Sequence, residues 1–390
     1  MDFEQKALDL HEEHKGKIEI ISKVKTTSMA DLSLAYSPGV AQPCLKIKEN
    51  KEDVYKYTSK GNLVAVISDG SAVLGLGNIG PLAGLPVMEG KAILFKNFAG
   101  VDAFPICLNT QDADEIVNIC KALSPTFGGI NLEDISAPRC FYIEQKLKQE
   151  LDIPVFHDDQ HGTSVVVLAA LTNSVKLINK KFADLKVVVN GPGAAGTSII
   201  KILHNAGIQN IIACDEFGIL YKERDNLDSH KKELCDITVN MQGTLADAIV
   251  KADVFIGVSA PNVLTTDMIK TMQDNAIVFA MANPNPEIAY DIAKQAGVRI
   301  MGTGRSDYPN QINNVLVFPG LFKGALAARA TTINEEMKIA AALAIASLVS
   351  ADELNDEYVI PNALDKRVAD TVAKYVQEAA VKTGVCKDGI

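Results

Sequence analysis

Apolar positions fall into two regimes along the chain. The first sixteen residues read as an amphipathic helix with an acidic bias, and Ser37-Pro38-Gly39 marks a turn inside the loop 34–41. Short apolar runs at 63–68, 91–96, 103–108, 129–132 and 153–156 predict buried strands, with helices over 112–123 and 141–150. Past residue 160 the pattern changes. A long apolar helix over 163–178 leads into strands at 186–189, 210–214, 254–258, 276–280 and 298–301, with helices between them. That alternation predicts a parallel, doubly wound sheet. The expected fold class is α/β. A small N-terminal α/β substrate domain covers 1–160, and a Rossmann-type dinucleotide-binding domain with C-terminal helices covers 161–390.

Length and charge narrow the classes of function. A chain of 390 residues exceeds one ordinary core, in keeping with two domains. Its net charge of −10, without a Lys/Arg block, excludes a nucleic-acid surface. An anionic substrate must then be attracted locally, by a metal or a placed lysine. The seven cysteines include no Cys-x-x-Cys pair, so neither a disulfide framework nor a zinc knuckle is expected. No hydrophobic signal core opens the chain, and the longest apolar run, 339–349, falls short of the roughly 20 residues a spanning helix needs. A soluble, cytoplasmic protein without a membrane partner is expected.

The motif G-x-G-x-x-G occurs twice, and context separates the copies. Gly191, Gly193, Ala194, Ala195 and Gly196 follow a predicted strand at once and open a predicted helix. They form the expected pyrophosphate turn, with Asp215 ending the next strand where a carboxylate can bond ribose hydroxyls. That carboxylate repels a 2′-phosphate, which favours NAD over NADP, although Lys222 and Arg224 follow closely and soften the effect. The other copy, Gly75 to Gly80, is followed by Pro81 and Pro86. Helix formation is expected to be poor there, which makes it a structural loop or a substrate-site turn.

Two acidic pairs stand at predicted strand ends, Glu133-Asp134 and Asp158-Asp159. Clustered carboxylates repel one another and persist best around a shared cation; all-oxygen ligation suits Mg²⁺ or Mn²⁺. His157 and His161 suggest zinc only if both lie on one helix, and a helix starting at Thr163 leaves both outside it. Simple capping of that helix by Asp158 and Asp159 leaves Glu133-Asp134 unexplained. A hard divalent ion beside a dinucleotide turn points to a dehydrogenase whose substrate or product chelates the metal.

Together with Tyr36-Ser37-Pro38-Gly39-Val40-Ala41, Ser68-Asp69-Gly70-Ser71, Met88-Glu89-Gly90-Lys91, the motif from Phe156 to Thr163 and the segment from Gly304 to Asn314, these features resemble a malic enzyme of the short bacterial type. The resemblance implies oxidative decarboxylation of L-malate to pyruvate and CO₂ with a nicotinamide cofactor and Mg²⁺ or Mn²⁺. It implies Tyr36 as general acid and Lys91 as general base, the latter with a depressed pKa. Glu133, Asp134 and Asp159 become metal ligands, with Asp158 outside the ligand set. Asn283 and Asn314 become the amides facing substrate and nicotinamide. Ala72 stands where large animal members carry an arginine, which leaves the holder of malate's second carboxylate open. A malolactic enzyme that retains its NAD, and a metal-free Rossmann dehydrogenase acting on another hydroxy or amino acid, are the alternatives. A homodimer or higher homo-oligomer is expected, with the Tyr36 loop completing the partner's site.

Overall fold

The computed structural model describes residues 3–387. The chain opens with four small helices, α1 (Phe3–His14), α2 (Met29–Ala35), α3 (Ala41–Glu49) and α4 (Val54–Tyr57), none of which buries a residue. The first layer of true core follows: β1 (Leu63–Ser68), α5 (Gly80–Leu94), β2 (Asp102–Cys107), α6 (Ala113–Leu123), β3 (Gly129–Leu132), α7 (Arg139–Glu150) and β4 (Val155–His157). These four strands form one parallel sheet in the order β2-β1-β3-β4. Pro105 sits in β2, at the sheet edge, where a missing N–H breaks no ladder.

Helix α8 (Asp158–Leu177) carries the chain into the second sheet. There follow β5 (Lys186–Asn190), α9 (Ala194–Asn205), β6 (Asn210–Asp215), β7 (Gly218–Ile219), α10 (Ser229–Leu234), α11 (Leu245–Ile249), β8 (Val254–Gly257), α12 (Thr266–Ile269), β9 (Ile277–Ala280), α13 (Tyr290–Gln295) and β10 (Ile300–Thr303). The sheet runs β10-β9-β8-β5-β6-β7 and is parallel except for the β6–β7 pair. Strand order reverses between β5 and β8, the position at which open α/β sheets bind ligands.

The remaining helices, α14 (Phe318–Ala327), α15 (Glu335–Ser347) and α16 (Arg367–Lys382), fold back toward the first sheet. Phe318 and Phe322 of α14 meet the ring of Phe95 edge-on at 4.7 and 5.4 Å, and Phe322 also meets Phe156. Lys387 reaches Asp152 at 2.7 Å. Among the described residues no helix is long and apolar enough to cross a membrane. All seven cysteines are free.

Three local expectations fail, each for a tertiary reason. The run 91–96 is not a strand: Lys91 lies in the last turn of α5, which widens into a π-helical turn over Phe95–Ala99. A short apolar run has the same periodicity in a buried helix as in a buried strand, and burial of Met88, Ala92 and Phe95 on one face selects the helix. Pro81 does not prevent that helix; it occupies the first turn, where its missing N–H has no partner to lose. Helix α8 begins at Asp158, five residues before the expected start at Thr163. Gly162 lies inside it because a side chain there would stand 2.0 Å from Asp158 Oδ1.

Candidate active site

Register of the first sheet assembles the acidic residues. Leu132 of β3 pairs with His157 of β4, so the residues after both strands, Glu133-Asp134 and Asp158-Asp159, emerge side by side. One carboxylate oxygen each from Glu133, Asp134 and Asp159 lies within 4.8 Å of the others. The Asp134 N–H donates to Asp159 Oδ2 at 2.8 Å, and Asp134 holds a left-handed φ of 53° to make the turn. Three hard oxygen donors converging from two strand ends fit a small divalent cation such as Mg²⁺ or Mn²⁺.

Lys91 crosses from α5 to meet this cluster. Its Nζ lies 2.8 Å from Glu133 Oε1, 2.7 Å from Asp158 Oδ2 and 4.1 Å from the centre of the Phe318 ring. Asp158 is fully buried and also accepts from Asn314 Nδ2, while Asn131 Nδ2 donates to Glu133 Oε2 at 2.9 Å. Burial pushes the Glu133 and Asp158 carboxyls upward against the pull of Lys91. Burial works to lower the Lys91 pKa, but Asp158 and Glu133 outweigh it and raise it above an ordinary lysine. A depressed pKa at Lys91, as a base requires, therefore depends on the charge of these carboxylates being neutralised. Two carboxylates at contact distance hold its proton in place.

The dinucleotide turn follows β5 directly. Gly191 takes a φ of 100°, and a side chain there would strike Val258 O at 2.6 Å. A side chain at Gly196 would meet Gly191 O at 2.0 Å, whereas Gly193 faces open space. That is the pattern of a tight turn, a close helix–strand contact and a clear approach for a pyrophosphate at the N-terminus of α9. Ala194 and Ala195 line a cavity of about 1070 Å³ together with Lys91, Glu133, Asp134, Asp159, Asn283 and Asn314. A second cavity of about 650 Å³ continues past Val258 and Ser259 to Gly191, Gly193, Asp215 and Lys231.

Asp215 is not the free carboxylate that the sequence suggests. Its oxygens accept from Arg224 Nη2 at 2.6 and 2.8 Å, from Lys231 Nζ at 2.9 Å and from the Phe217 N–H. Burial tends to raise its pKa, and the bonds from Arg224 and Lys231 overcome that and hold it low. Two cations thus offset the repulsion that this aspartate would exert on a 2′-phosphate.

Zinc is disfavoured on different grounds from those expected. His157 precedes α8 and His161 lies within its first turn. The ring of His161 bonds Glu144 at 2.8 Å and Ser198 at 3.0 Å instead of joining the acidic cluster. Tyr36 is the candidate the structure does not bring in: it is 69% exposed and does not line the cavity that holds Lys91. Glu287, conversely, escaped the sequence reading. It is fully buried and accepts from the Ser259 and Ala282 N–H groups at 2.8 and 3.1 Å, tying the loop after β8 to the Asn283 segment. No motif marks it, because its partners are two backbone N–H groups and the Ser259 hydroxyl, which no side-chain pattern in the sequence singles out.

A parallel sheet with its glycine turn at the reversal of strand order, beside a lysine and a carboxylate cluster, defines an NAD(P)-binding oxidoreductase acting on a small molecule. Residues 13–148 match the malic enzyme N-terminal domain and residues 160–381 the malic enzyme NAD binding domain. The chain is 59% identical to a bifunctional malic/malolactic enzyme of Bacillus subtilis, over 99% of this chain and 95% of that protein. It is 58% identical to an NAD-dependent malic enzyme of Geobacillus stearothermophilus, over 96% of this chain and 79% of the relative. A crystal structure of malic enzyme from Pyrococcus horikoshii superposes with a TM-score of 0.95 at 49% identity, covering 100% of this chain and 93% of that one. The chain belongs to the malic enzyme family, whose members are decarboxylating oxidoreductases.

Proposed function

We propose that this chain converts L-malate to pyruvate and CO₂ with a divalent metal and NAD, using Lys91 as the base and Tyr36 as the acid. The observation that carries the reading is the convergence of Glu133, Asp134 and Asp159 oxygens within 4.8 Å, in the cavity that Ala194 and Ala195 of the dinucleotide turn also line. A divalent ion held there would polarise the oxygens at C1 and C2 of malate and neutralise the carboxylates that keep Lys91 protonated. Lys91 takes the hydroxyl proton, its Nζ positioned by Asp158. Asn283 and Asn314 line the cavity as neutral amides and orient substrate and nicotinamide without adding charge. A nicotinamide bound at the dinucleotide turn would supply the acceptor for the C2 hydride. Loss of CO₂ leaves an enolate of pyruvate, which Tyr36 protonates at C3.

Tyr36 comes from a second copy of the chain in this reading. It is exposed, α1 to α4 bury no residue, and Ile20, Met29 and Leu34 of the same arm are at least 77% exposed. A homodimer in which each N-terminal arm completes the partner's site covers that apolar surface. NAD is favoured because a carboxylate ends β6, and the cations on Asp215 leave NADP as a slower acceptor. Seven free cysteines support a reducing compartment, the cytoplasm.

The test is one assay with L-malate, Mn²⁺ and either dinucleotide, following reduced nicotinamide and pyruvate together. Equal accumulation of both, abolished by EDTA, is the expected result. Lactate without free NADH favours the malolactic activity that the Bacillus subtilis relative's name includes. Turnover insensitive to EDTA returns the chain to the metal-free dehydrogenases.

A further inference from the structure

A dicarboxylate entering this cavity meets three carboxylates, so its second carboxylate needs a cation. Ala72 lines the cavity and supplies none. Among the described residues, the basic side chains lining it are His11, Lys17 and Lys91. Lys91 is committed to Glu133 and Asp158. The His11 ring bonds the Ala7 carbonyl within its own helix at 2.7 Å. Arg139, just outside, is bound to the buried Asp69 at 2.9 Å.

Lys17 is differently placed. Its backbone N–H is pinned by Glu89 Oε2 at 2.8 Å, which docks the segment after α1 onto α5. Its Nζ reaches 3.5 Å from the point where a side chain on Gly90 would begin, one residue before Lys91. Gly90 therefore leaves room for the lysine to lie along the helix into the cavity. Lys17 is half-buried, and no salt bridge to its Nζ occurs among the described residues. Burial lowers its pKa, and the charge of Glu89 only partly opposes this. A partly desolvated cation without an ion-pair partner gains most from an arriving anion.

We propose that Lys17 binds the carboxylate of the substrate distal to its hydroxyl and so sets the preference for dicarboxylic over monocarboxylic 2-hydroxy acids; this rests on the malate reading above. The carboxylate it holds is the one that departs as CO₂, so the contact serves binding more than the chemical step. Removing it raises KM and leaves kcat nearly unchanged.

The experiment compares wild type, Lys17→Met and Lys17→Arg with saturating NAD and Mn²⁺, measuring kcat, KM for L-malate and the inhibition constant of oxalate. Oxalate chelates a metal with both its carboxylates and has no group left to reach Lys17. Lys17→Met is expected to raise KM roughly ten- to hundredfold, the loss of one charge-assisted hydrogen bond. The oxalate constant and the KM for NAD stay put, and Lys17→Arg recovers most of the affinity. An unchanged KM in Lys17→Met, or a KM and an oxalate constant that rise together, overturns the assignment while leaving the malate reading intact. A wild type inert toward malate overturns both.

Discussion

Helix α8 and the N-terminal arm are built on opposite principles. Fourteen of the twenty residues of α8 are buried, among them the charged Asp158, whereas helices α1 to α4 bury none. The helix pairs several of its buried polar groups within the chain, through Lys91 and Asn314 on Asp158 and Glu144 on His161. The arm leaves Ile20, Met29 and Leu34 facing solvent, each worth roughly 1.5–3 kcal/mol if covered. One region carries its stability inside the fold; the other leaves apolar side chains exposed among the described residues. The same division runs through the proposed chemistry, with Lys91 inside and Tyr36 outside.

The largest effect tests that division directly. Lys91→Ala and Tyr36→Phe should each lower turnover by roughly 10²–10⁴-fold. If the two residues act across a dimer, mixing the inactive chains and letting them exchange restores activity at about a quarter of the sites. No recovery places both residues in one subunit and removes the contrast. Lys91→Ala should also destabilise the fold by roughly 3–5 kcal/mol in urea, since it strands the buried Asp158 carboxylate; Tyr36→Phe should leave the urea midpoint in place.

Within α8, Gly162→Ala is the sharpest single probe. The added methyl would overlap Asp158 Oδ1 and crowd Asn314 Cβ at 3.0 Å. A displacement of this kind should cost about 10²-fold in kcat and 1–3 kcal/mol in stability. Normal turnover would mean that the Asp158 position is looser than the packing implies. On the arm, Leu34→Glu with Ile20→Glu should halve the mass seen by light scattering, remove activity and lower the urea midpoint, since the stabilisation contributed by association is lost. A mass that does not change removes the arm from the interface.

The smallest effect lies at the junction. Lys60 is the first buried residue reached from the N-terminus among the described residues, and its Nζ donates to the carbonyls of Ser124 and Phe127 at 2.5 and 2.6 Å. Burial lowers its pKa from 10.5 to about 8, with Asp152 opposing and Lys387 adding to the shift. The unfolded chain then keeps this proton to higher pH than the folded one, so stability should rise between about pH 8 and 10.5. The rise should be on the order of 1–2 kcal/mol once screening is allowed for, and Lys60→Met should remove it. Equal urea midpoints for wild type and variant across that window would show that Lys60 is better solvated than its burial suggests.

Much of the second sheet was legible from short-range pattern. Strand and helix alternate with distinct periods there, and Gly191 and Gly196 meet steric demands that only glycine satisfies at so short a spacing. The acidic pairs were legible too, as residues directly following apolar strands. Less was legible around α5, where the run 91–96 has no period that separates helix from strand, and at the start of α8. Gly162 reads locally as a helix breaker, and its reason for being glycine is the carboxylate of Asp158 packed against it.

By itself, then, the order of residues determined the α/β class, the dinucleotide turn and the two acidic pairs, because these follow from contacts along a few consecutive residues. Tertiary structure alone decided that β3 and β4 lie in register to gather Glu133, Asp134 and Asp159, that Lys91 is paired with Glu133 and Asp158, that Asp215 is neutralised by Arg224 and Lys231, and that Tyr36 is left outside while Lys17 lies within. Each of those depends on burial and on charges distant in sequence. Desolvation and Coulomb terms are set by which groups the fold brings together in a low-dielectric interior, and no local pattern carries that information.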